Sequence, residues 1–292
     1  MKALPHPIKL LQSKFYLGGI VVGLTIIHLI LSWRVTGDVN RQTLNVLFWG
    51  AILSLLWRKR YTLNLESGIF SSFVGSLLIT LVLFKSISLF WFESSFLKFA
   101  PLLLSLGFGL LASGVKGLKQ YWREFAIVLL LCLPDGDFLT APVQELFKVT
   151  ILTAKFAVFM LWYLGFEVSG HGANVFLPKG SVWVATPCTG ISTAFFLLKL
   201  ALVFILTFST NWWKKALVLL GAVGIAFVSG GIRVAIMAVV VSDRQAFDYW
   251  HNEPGNQIFS TIAIFLFGLL CHFLLPSSDA STSPKSGELQ QL

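Results

Sequence analysis

Long apolar runs, separated by short basic clusters, dominate this sequence. A helix needs roughly 20 apolar residues to cross a bilayer core about 30 Å thick, and the chain of 292 residues contains several such runs. Only 12% of its residues are charged, and soluble proteins carry about 25%. Too few polar groups are left to cover a water-facing surface, so the pattern predicts an all-α polytopic integral membrane protein.

Eight of the apolar runs are predicted to span the membrane as helices. The first follows Lys14 and ends at Trp33-Arg34 without a small-residue cleavage site, so it is interpreted as a retained span rather than a signal peptide. The predicted spans are residues 15–33, 43–57, 68–84, 99–114, 125–139, 190–210, 216–241 and 256–275.

The net charge of +9 is explained by membrane topology and does not require a nucleic-acid partner. With the N-terminus in the cytoplasm, the clusters Arg58-Lys59-Arg60, 116–123 and Lys214-Lys215 all fall on the cytoplasmic side, as the positive-inside rule requires. We therefore expect a multi-pass protein of the plasma (inner) membrane with both termini in the cytoplasm.

Residues 146–166 are apolar but are left out of the eight spans. Counting them as a span would move Lys214-Lys215 to the outer side, so they are predicted to be an amphipathic helix on the outer surface. Gly-rich turns then surround Val175-Phe176-Leu177 and Val182-Trp183-Val184, and they predict a short external β-hairpin.

Composition divides the chain into three parts. Residues 1–122 form an N-terminal four-helix membrane region, residues 123–275 form a second membrane core, and the Ser-rich residues 276–292 are predicted to be a disordered cytoplasmic tail. The sequence has no Walker or dinucleotide-binding pattern beside a strand. No cofactor or metal ion is expected.

Cys188 is the strongest candidate for chemistry. Pro187-Cys188-Thr189-Gly190 lies where the external segment meets the next span, and partial positive charge at a helix N-terminus stabilises a thiolate. The N–H groups of residues 189–191 could also hold an oxyanion. The alternative is a buried cysteine that acts as a small apolar residue, which is the interpretation for Cys132 and Cys271.

Arg233 and Lys199 are charges inside predicted spans, a position that indicates function. Arg233 lies about 12 Å below the outer end of its span, and its long side chain reaches back toward the surface. The alternative is a structural arginine bonded to backbone carbonyls. Lys199 lies about 16 Å deeper than Cys188 and is interpreted as structural.

His251 lies in the short external connection before the last span, on the same side as Cys188. An imidazole within reach of a thiol takes its proton and later protonates a leaving amine, although an interfacial histidine is often only a satisfied polar residue. Asp243, Asp248 and Glu253 flank it, and any of them could orient the ring. His171 is a weaker candidate for the base, His28 and His272 lie within spans without a visible partner in the sequence, and His6 is interpreted as part of the N-terminal tail.

Three motifs stand in one order on the predicted outer side: Pro187-Cys188-Thr189-Gly190-Ile191, Gly231-Ile232-Arg233-Val234 and His251-Asn252-Glu253-Pro254-Gly255. Together they resemble the exosortase and archaeosortase family, over residues 123–275. Those proteins are polytopic and are proposed to be cysteine transpeptidases. They process a C-terminal sorting signal that consists of a short motif such as Pro-Glu-Pro, a transmembrane helix and a basic cluster.

The resemblance implies that Cys188 is the nucleophile, Arg233 the essential arginine and His251 the histidine of the family's catalytic set. It implies exported proteins with such a signal as partners, beside the lipid bilayer. Thr189 after the cysteine is similar to the cyanobacterial exosortases (cyanoexosortases), whereas the usual family pattern is Ala-Cys-Ser-Gly. Family members often have an asparagine before the arginine, and this chain does not. The Gly231-Ile232-Arg233-Val234 motif therefore does not itself supply an asparagine to orient the arginine or the oxyanion.

Two other classes compete with a thiol peptidase or transpeptidase. In a transporter or channel, Arg233 and Lys199 would line an anion path, but the chain has no repeats and no paired broken helices. A membrane glycosyl or lipid transferase would need paired acidic residues at the membrane face. Glu167, Asp243 and Glu253 form no recognisable pair.

Overall fold

Helices make up most of the chain. The computed structural model describes residues 7–37, 39–87, 94–133 and 137–275, and contacts divide the chain into two compact units, Met1–Pro134 and Asp135–Leu292. A helix satisfies its own backbone hydrogen bonds, which is what an apolar run in a membrane requires. The predicted all-α polytopic class is confirmed.

The first unit contains five α-helices in its described residues. They are α1 (Pro7–Thr36), α2 (Val39–Lys59), α3 (Ile69–Ile87), α4 (Ser94–Gly117) and α5 (Trp122–Cys132). Helices α3 and α4 approach closely because Gly75 has no side chain: a Cβ there would lie only 2.6 Å from the carbonyl oxygen of Gly107. An ion pair between Lys59 Nζ and Glu124 Oε1, 2.9 Å long, joins α2 to α5.

The second unit contains six α-helices and a small sheet in its described residues. The helices are α6 (Asp137–Phe147), α7 (Val149–Tyr163), α8 (Ile191–Thr207), α9 (Trp212–Val239), α10 (Arg244–His251) and α11 (Glu253–Leu274). The strands are β1 (Ser169–His171), β2 (Asn174–Leu177) and β3 (Gly180–Trp183), in the spatial order β1-β2-β3 and antiparallel.

The sheet covers one end of α7 and α9. Val175 and Val182 are paired across β2 and β3, and both are buried in a cluster with Ala154 and Ala157 of α7 and Val234 of α9. Cys188 belongs to the same cluster. This apolar cluster therefore links the sheet to the two elements that carry the predicted nucleophile and arginine.

Five helical stretches in the described residues are long and apolar enough to cross a membrane: Gly18–Thr36, Ile69–Ser86, Lys98–Cys132, Trp212–Val239 and Pro254–Leu274. A sixth would be the bent pair Leu139–Phe147 and Val149–Tyr163, if the pair is one span. Helix α8, at 17 residues, falls just short of that length. The chain is thus a multi-pass membrane protein, and the number of eight spans stays a prediction.

The span predicted over residues 125–139 is not one helix. Helix α5 ends at Cys132 and α6 begins at Asp137. Leu133 has an extended backbone (φ −61°, ψ 131°) because it precedes Pro134, and a residue before proline is pushed out of the helical region. The 11 residues of α5 extend about 16 Å, which is too short to cross a bilayer core alone.

The stretch at 146–166 also differs from the single surface helix that we expected. Lys148 adopts a left-handed conformation (φ 47°), and the helices on either side of it are bent by 61°. Helix α7 then buries Ala154, Ala157 and Leu161 in the cluster below the sheet. The sequence does not show which face of α7 is buried, because apolar residues occur on its buried and exposed sides alike.

Candidate active site

Cys188 is the last residue of a 3₁₀ turn, Thr186–Cys188, which precedes α8. The turn is closed by backbone hydrogen bonds from Cys188 N–H to Ala185 O (2.9 Å) and from Thr189 N–H to Thr186 O (3.2 Å). The Thr189 hydroxyl donates to Thr186 O at 2.7 Å. Three hydrogen bonds thus hold the backbone beside the thiol, and Cys188 itself is 5% exposed.

Cys188 lies two residues before the N-cap of the helix whose N-terminus was expected to stabilise its thiolate. The N-cap of α8 is Gly190, in a left-handed conformation (φ 78°) that a glycine adopts without strain. The N–H of Thr189 is used by the turn, and the N–H of Ile191 lies 3.4 Å from the Thr189 hydroxyl. Two of the three N–H groups expected to hold an oxyanion therefore already have partners within this segment.

Gly230 of α9 allows the 3₁₀ turn of the predicted nucleophile, Thr186–Cys188, to lie directly on the helix; this turn is called the nucleophile turn below. A Cβ at Gly230 would be 2.6 Å from the carbonyl carbon and oxygen of Thr189. From the other side, Gly190 lies against the carbonyl oxygen of Ala226, so a side chain there would also collide with α9. Backbone-to-backbone contact thus fixes the position of Cys188 along α9.

Arg233, three residues after Gly230, is 6% exposed and makes three hydrogen bonds. Its Nε donates to Trp250 O at 3.0 Å, its Nη2 donates to His251 O at 2.6 Å, and its Nη1 donates to Asn256 Oδ1 at 2.8 Å. The guanidinium therefore connects the end of α10 to the beginning of α11. A planar guanidinium has five N–H donors in all, so two are not used by hydrogen bonds within the described residues.

His251 is the last residue of α10 and places its Nδ1 atom 3.9 Å from the Sγ atom of Cys188. Its ring is stacked on that of Phe247, with 5.5 Å between centroids and 12° between planes. Phe247 in turn packs on the buried cluster that contains Cys188. The imidazole is exposed on its other side, so it faces both the thiol and the solvent.

Two of the three carboxylates near His251, those of Asp243 and Asp248, make no hydrogen bond to its ring in the described structure. Asp243 accepts hydrogen bonds from the N–H groups of Gln245 and Ala246, at 3.0 and 3.1 Å, and so caps α10. Asp248 is exposed, and its side chain makes no hydrogen bond to His251. The side chain of Glu253 lies outside the described part of the structure.

Burial raises the pKa of the Cys188 thiol, and the charge of Arg233 offsets part of this rise. The sequence led us to expect a thiolate stabilised by a helix N-terminus, yet desolvation is the larger effect at this buried position. The buried thiol therefore loses its proton less readily than an exposed cysteine does.

The other polar candidates lie elsewhere. Lys199 is inside α8 and takes no part in the contacts among Cys188, Arg233 and His251. His171 is exposed at the end of β1. Cys132 and Cys271 lie in α5 and α11, and His28 and His272 lie in α1 and α11.

Two residues in the site were missed by sequence reasoning, Phe247 and Asn256. Asn256 comes within reach of Arg233 because α10 and α11 meet in a tight turn, where a Cβ at Gly255 would lie 2.6 Å from Trp250 Cα. The signal was the asparagine that directly follows the His251-Asn252-Glu253-Pro254-Gly255 motif. Its partner is 23 residues earlier in the chain, so spacing alone does not reveal it.

The fold and the site together define a class: a multi-pass membrane protein with a thiol and an imidazole in contact beside a buried arginine. Compared with known families, the sequence matches the transmembrane exosortases over residues 33–268. The chain therefore belongs to the transmembrane exosortase family, as the three motifs indicated. No curated protein and no solved structure matches it.

Proposed function

We propose that this chain is a membrane-embedded cysteine transpeptidase or protease, which processes the C-terminal sorting signal of exported proteins through a thioester. The observation that carries the proposal is the 3.9 Å contact between Cys188 Sγ and His251 Nδ1, with Arg233 holding the backbone of that histidine at 2.6 Å. A nucleophile beside a base that is itself held in place is the arrangement that covalent catalysis needs.

In the first half of the reaction, His251 takes the thiol proton of Cys188 as the sulfur attacks the substrate carbonyl carbon. A C–S bond forms and the carbonyl oxygen becomes an oxyanion. When the oxyanion collapses, the peptide C–N bond breaks and His251 gives its proton to the leaving amine. The products are a thioester on Cys188 and a released C-terminal transmembrane helix.

In the second half, an acceptor attacks the thioester carbonyl and gives a proton to His251. The C–S bond then breaks and the sulfur leaves with that proton, which restores the thiol. An amine acceptor makes the reaction a transpeptidation, and water makes it a hydrolysis. The raised pKa of Cys188 is consistent with this route, because a thiol that loses its proton less readily than an exposed cysteine gains more from a neighbouring general base.

Arg233 is proposed to stabilise the oxyanion. It lies close enough to Cys188 for its charge to lower the pKa of the thiol, and two of its five N–H donors remain after the three hydrogen bonds in the described residues. A buried guanidinium is a stronger donor to developing negative charge than the same group in water. This role completes the set of three residues implied by the family motifs.

Family membership also supports the location and the partners. We propose that the protein lies in the plasma (inner) membrane with cytoplasmic termini, and that Cys188 faces the outer (periplasmic) side. Its partners are exported proteins that carry a PEP-CTERM-like signal, and Thr189 favours the cyanobacterial branch of the family. Residues 123–275 form the catalytic core in this proposal, and residues 1–122 form an accessory membrane region.

The transporter alternative is disfavoured by the position of Arg233. In an anion path this side chain would present its donors to a passing ion, but three of them are used by Trp250 O, His251 O and Asn256 Oδ1. These hydrogen bonds connect α9 with α10 and α11, and two of them go to backbone carbonyls, as those of a structural arginine would. The catalytic role proposed for Arg233 depends on the donors that these bonds leave over.

The proposal is tested by coexpressing the chain with a tagged exported protein that ends in a Pro-Glu-Pro motif, a transmembrane helix and a basic cluster. We expect mass spectrometry to show loss of the substrate's helix with the wild type and an intact substrate with Cys188→Ala. Cys271→Ala is the matched control and retains processing. Processing by Cys188→Ala would contradict the proposal.

A further inference from the structure

Strand β3 lies at an edge of the sheet. The register of the sheet shows which of its residues point their backbone N–H and C=O groups away from β2. In an antiparallel pair, residues opposite one another alternate between those that exchange hydrogen bonds and those that do not. Val184 N–H donates to Ala173 O at 2.9 Å, so this pair exchanges hydrogen bonds. Continuing the register, Val175–Val182 and Leu177–Gly180 do the same.

Ser181 and Trp183 are therefore the residues whose N–H and C=O groups point away from β2. Neither has an outward hydrogen bond to any residue in the described part of the chain. Ser181 is exposed and Trp183 is 68% exposed. Four backbone groups, two donors and two acceptors, are thus presented on one line at the edge of the sheet.

Natural proteins usually protect such an edge by keeping the strand very short, or with charged residues, prolines or a bulge. Strand β3 is short, at four residues, but its sequence Gly180-Ser181-Val182-Trp183 contains no charged residue and no proline. Its inward side chain, Val182, is buried in the cluster below the sheet, so the strand is held firmly from one face. An anchored edge without charge or proline is a template for pairing with a short second strand.

The position of this edge indicates what pairs with it. Only Val184 and Ala185 separate β3 from the 3₁₀ turn that ends at Cys188. The other edge strand, β1, is three residues long and presents only Gly170 outward, and it lies about 10 Å away across β2. A chain that pairs with β3 is therefore led toward the nucleophile, whereas a chain on β1 is not.

We propose that the extended segment of the substrate just outside its transmembrane helix binds to β3 as a fourth strand, held by the backbone groups of Ser181 and Trp183. This inference rests on the proposed function and assigns the peptide-binding site of the same reaction. Recognition through backbone groups holds the scissile bond beside Cys188 without demanding a particular side chain at every position.

The first test changes the enzyme. Ser181→Pro removes an outward N–H and leaves the β2–β3 hydrogen bonds in place, because Ser181 does not bond to β2. We expect it to raise the KM for the tagged substrate about two- to tenfold, the effect of losing one hydrogen bond. Ser169→Ala, at an exposed serine of the opposite edge strand β1, serves as the control with an unchanged KM. The rate at which iodoacetamide alkylates Cys188 checks that the nucleophile turn is intact.

The second test changes the substrate and does not depend on how Ser181→Pro folds. Proline is placed at successive positions of the segment before the substrate's helix, and KM is measured with the wild-type enzyme. Strand pairing predicts that KM rises at every second position, where an N–H faces β3, and changes little at the positions between. A KM profile without this period of two would overturn the proposal.

The outcomes separate the two proposals. Failure of the wild type to process the substrate would contradict the proposed function itself. Processing with a KM that is unchanged in Ser181→Pro and has no period of two along the substrate would overturn only the assignment of β3. A dimer of the wild type that Ser181→Pro dissociates, with KM unchanged, would assign the edge to a second copy of the chain and would also overturn it.

Discussion

The Nη2 atom of Arg233 donates a 2.6 Å hydrogen bond to the backbone carbonyl of His251. Its Nε donates to the carbonyl of Trp250 at 3.0 Å, so a residue of α9 satisfies two carbonyls at the end of α10. The last carbonyls of a helix have no partner within it, and here the partner also lies near the thiol of Cys188. The placement of the imidazole therefore depends on the arginine.

Replacing Arg233 with lysine is expected to lower kcat for substrate processing by about 100-fold or more, because an ammonium group cannot reproduce three directed hydrogen bonds and an oxyanion contact together. The measurement is the rate of loss of the substrate's C-terminal helix. Arg244→Lys is the matched control, since Arg244 is exposed at the start of α10. Activity close to that of the wild type in Arg233→Lys would show that the guanidinium is not needed.

Asn256 is expected to orient Arg233 for this work. Asn256→Ala removes the acceptor at 2.8 Å from Nη1 and should lower kcat about tenfold, as loss of a hydrogen bond to a charged group does. Asn256→Asp restores an acceptor and should recover most of the activity. Asn252→Ala is the control, because that side chain makes no cap hydrogen bond in the structure. Equal activities of Asn256→Ala and wild type would refute this positioning role.

Gly230→Ala tests whether the approach of the nucleophile turn to α9 matters. A methyl group there would lie 2.6 Å from the Thr189 carbonyl, so the turn has to move, at a cost of about 1–3 kcal/mol. We expect both processing and the alkylation rate of Cys188 to change. Gly224→Ala, on the same helix but with open space around it, should leave both unchanged. If the two variants behave alike, the contact has no importance for the site.

The pH dependence of Cys188 alkylation follows from its environment. Burial raises the pKa of the thiol and Arg233 offsets part of this rise, so the thiolate forms only above the pH at which an ordinary cysteine ionises. Alkylation by iodoacetamide, followed by mass spectrometry of the Cys188 peptide, should increase with a midpoint above the usual value. Arg233→Ala should move the midpoint further up. A midpoint below the usual value would contradict the desolvated site.

Sequence reasoning identified Cys188, Arg233 and His251 because each stands out against its surroundings: a cysteine at a helix boundary, a charge in an apolar run and a histidine in a short external loop. The apolar runs likewise predicted helices, since a run of that length has few other structures in a membrane. The contacts of His251 with Cys188 (Nδ1 to Sγ, 3.9 Å) and with Arg233 (backbone O to Nη2, 2.6 Å) were not predictable, because they join residues far apart in the chain.

The helix breaks, the role of Asn256 and the hydrogen bonds of the nucleophile turn were not predicted from the sequence. The break between α5 and α6 arises where Leu133 precedes a proline, and the left-handed Lys148 separates two apolar helices that read as one. Asn256 was passed over because an asparagine in the first turn of a helix usually has a local role. The N–H groups of Thr189 and Ile191 are used in hydrogen bonds of the nucleophile turn. These bonds depend on a 3₁₀ geometry that no sequence motif predicts.

The central claim, transfer through a thioester on Cys188, is tested most directly by adding hydroxylamine to the purified enzyme and tagged substrate. A thioester is attacked by hydroxylamine, so the account predicts a product with a C-terminal hydroxamate, whose share rises with hydroxylamine concentration and which Cys188→Ala does not form. A product that carries only a carboxylate at every hydroxylamine concentration, from an enzyme on which mass spectrometry detects no substrate acyl group at Cys188 during turnover, would contradict the account.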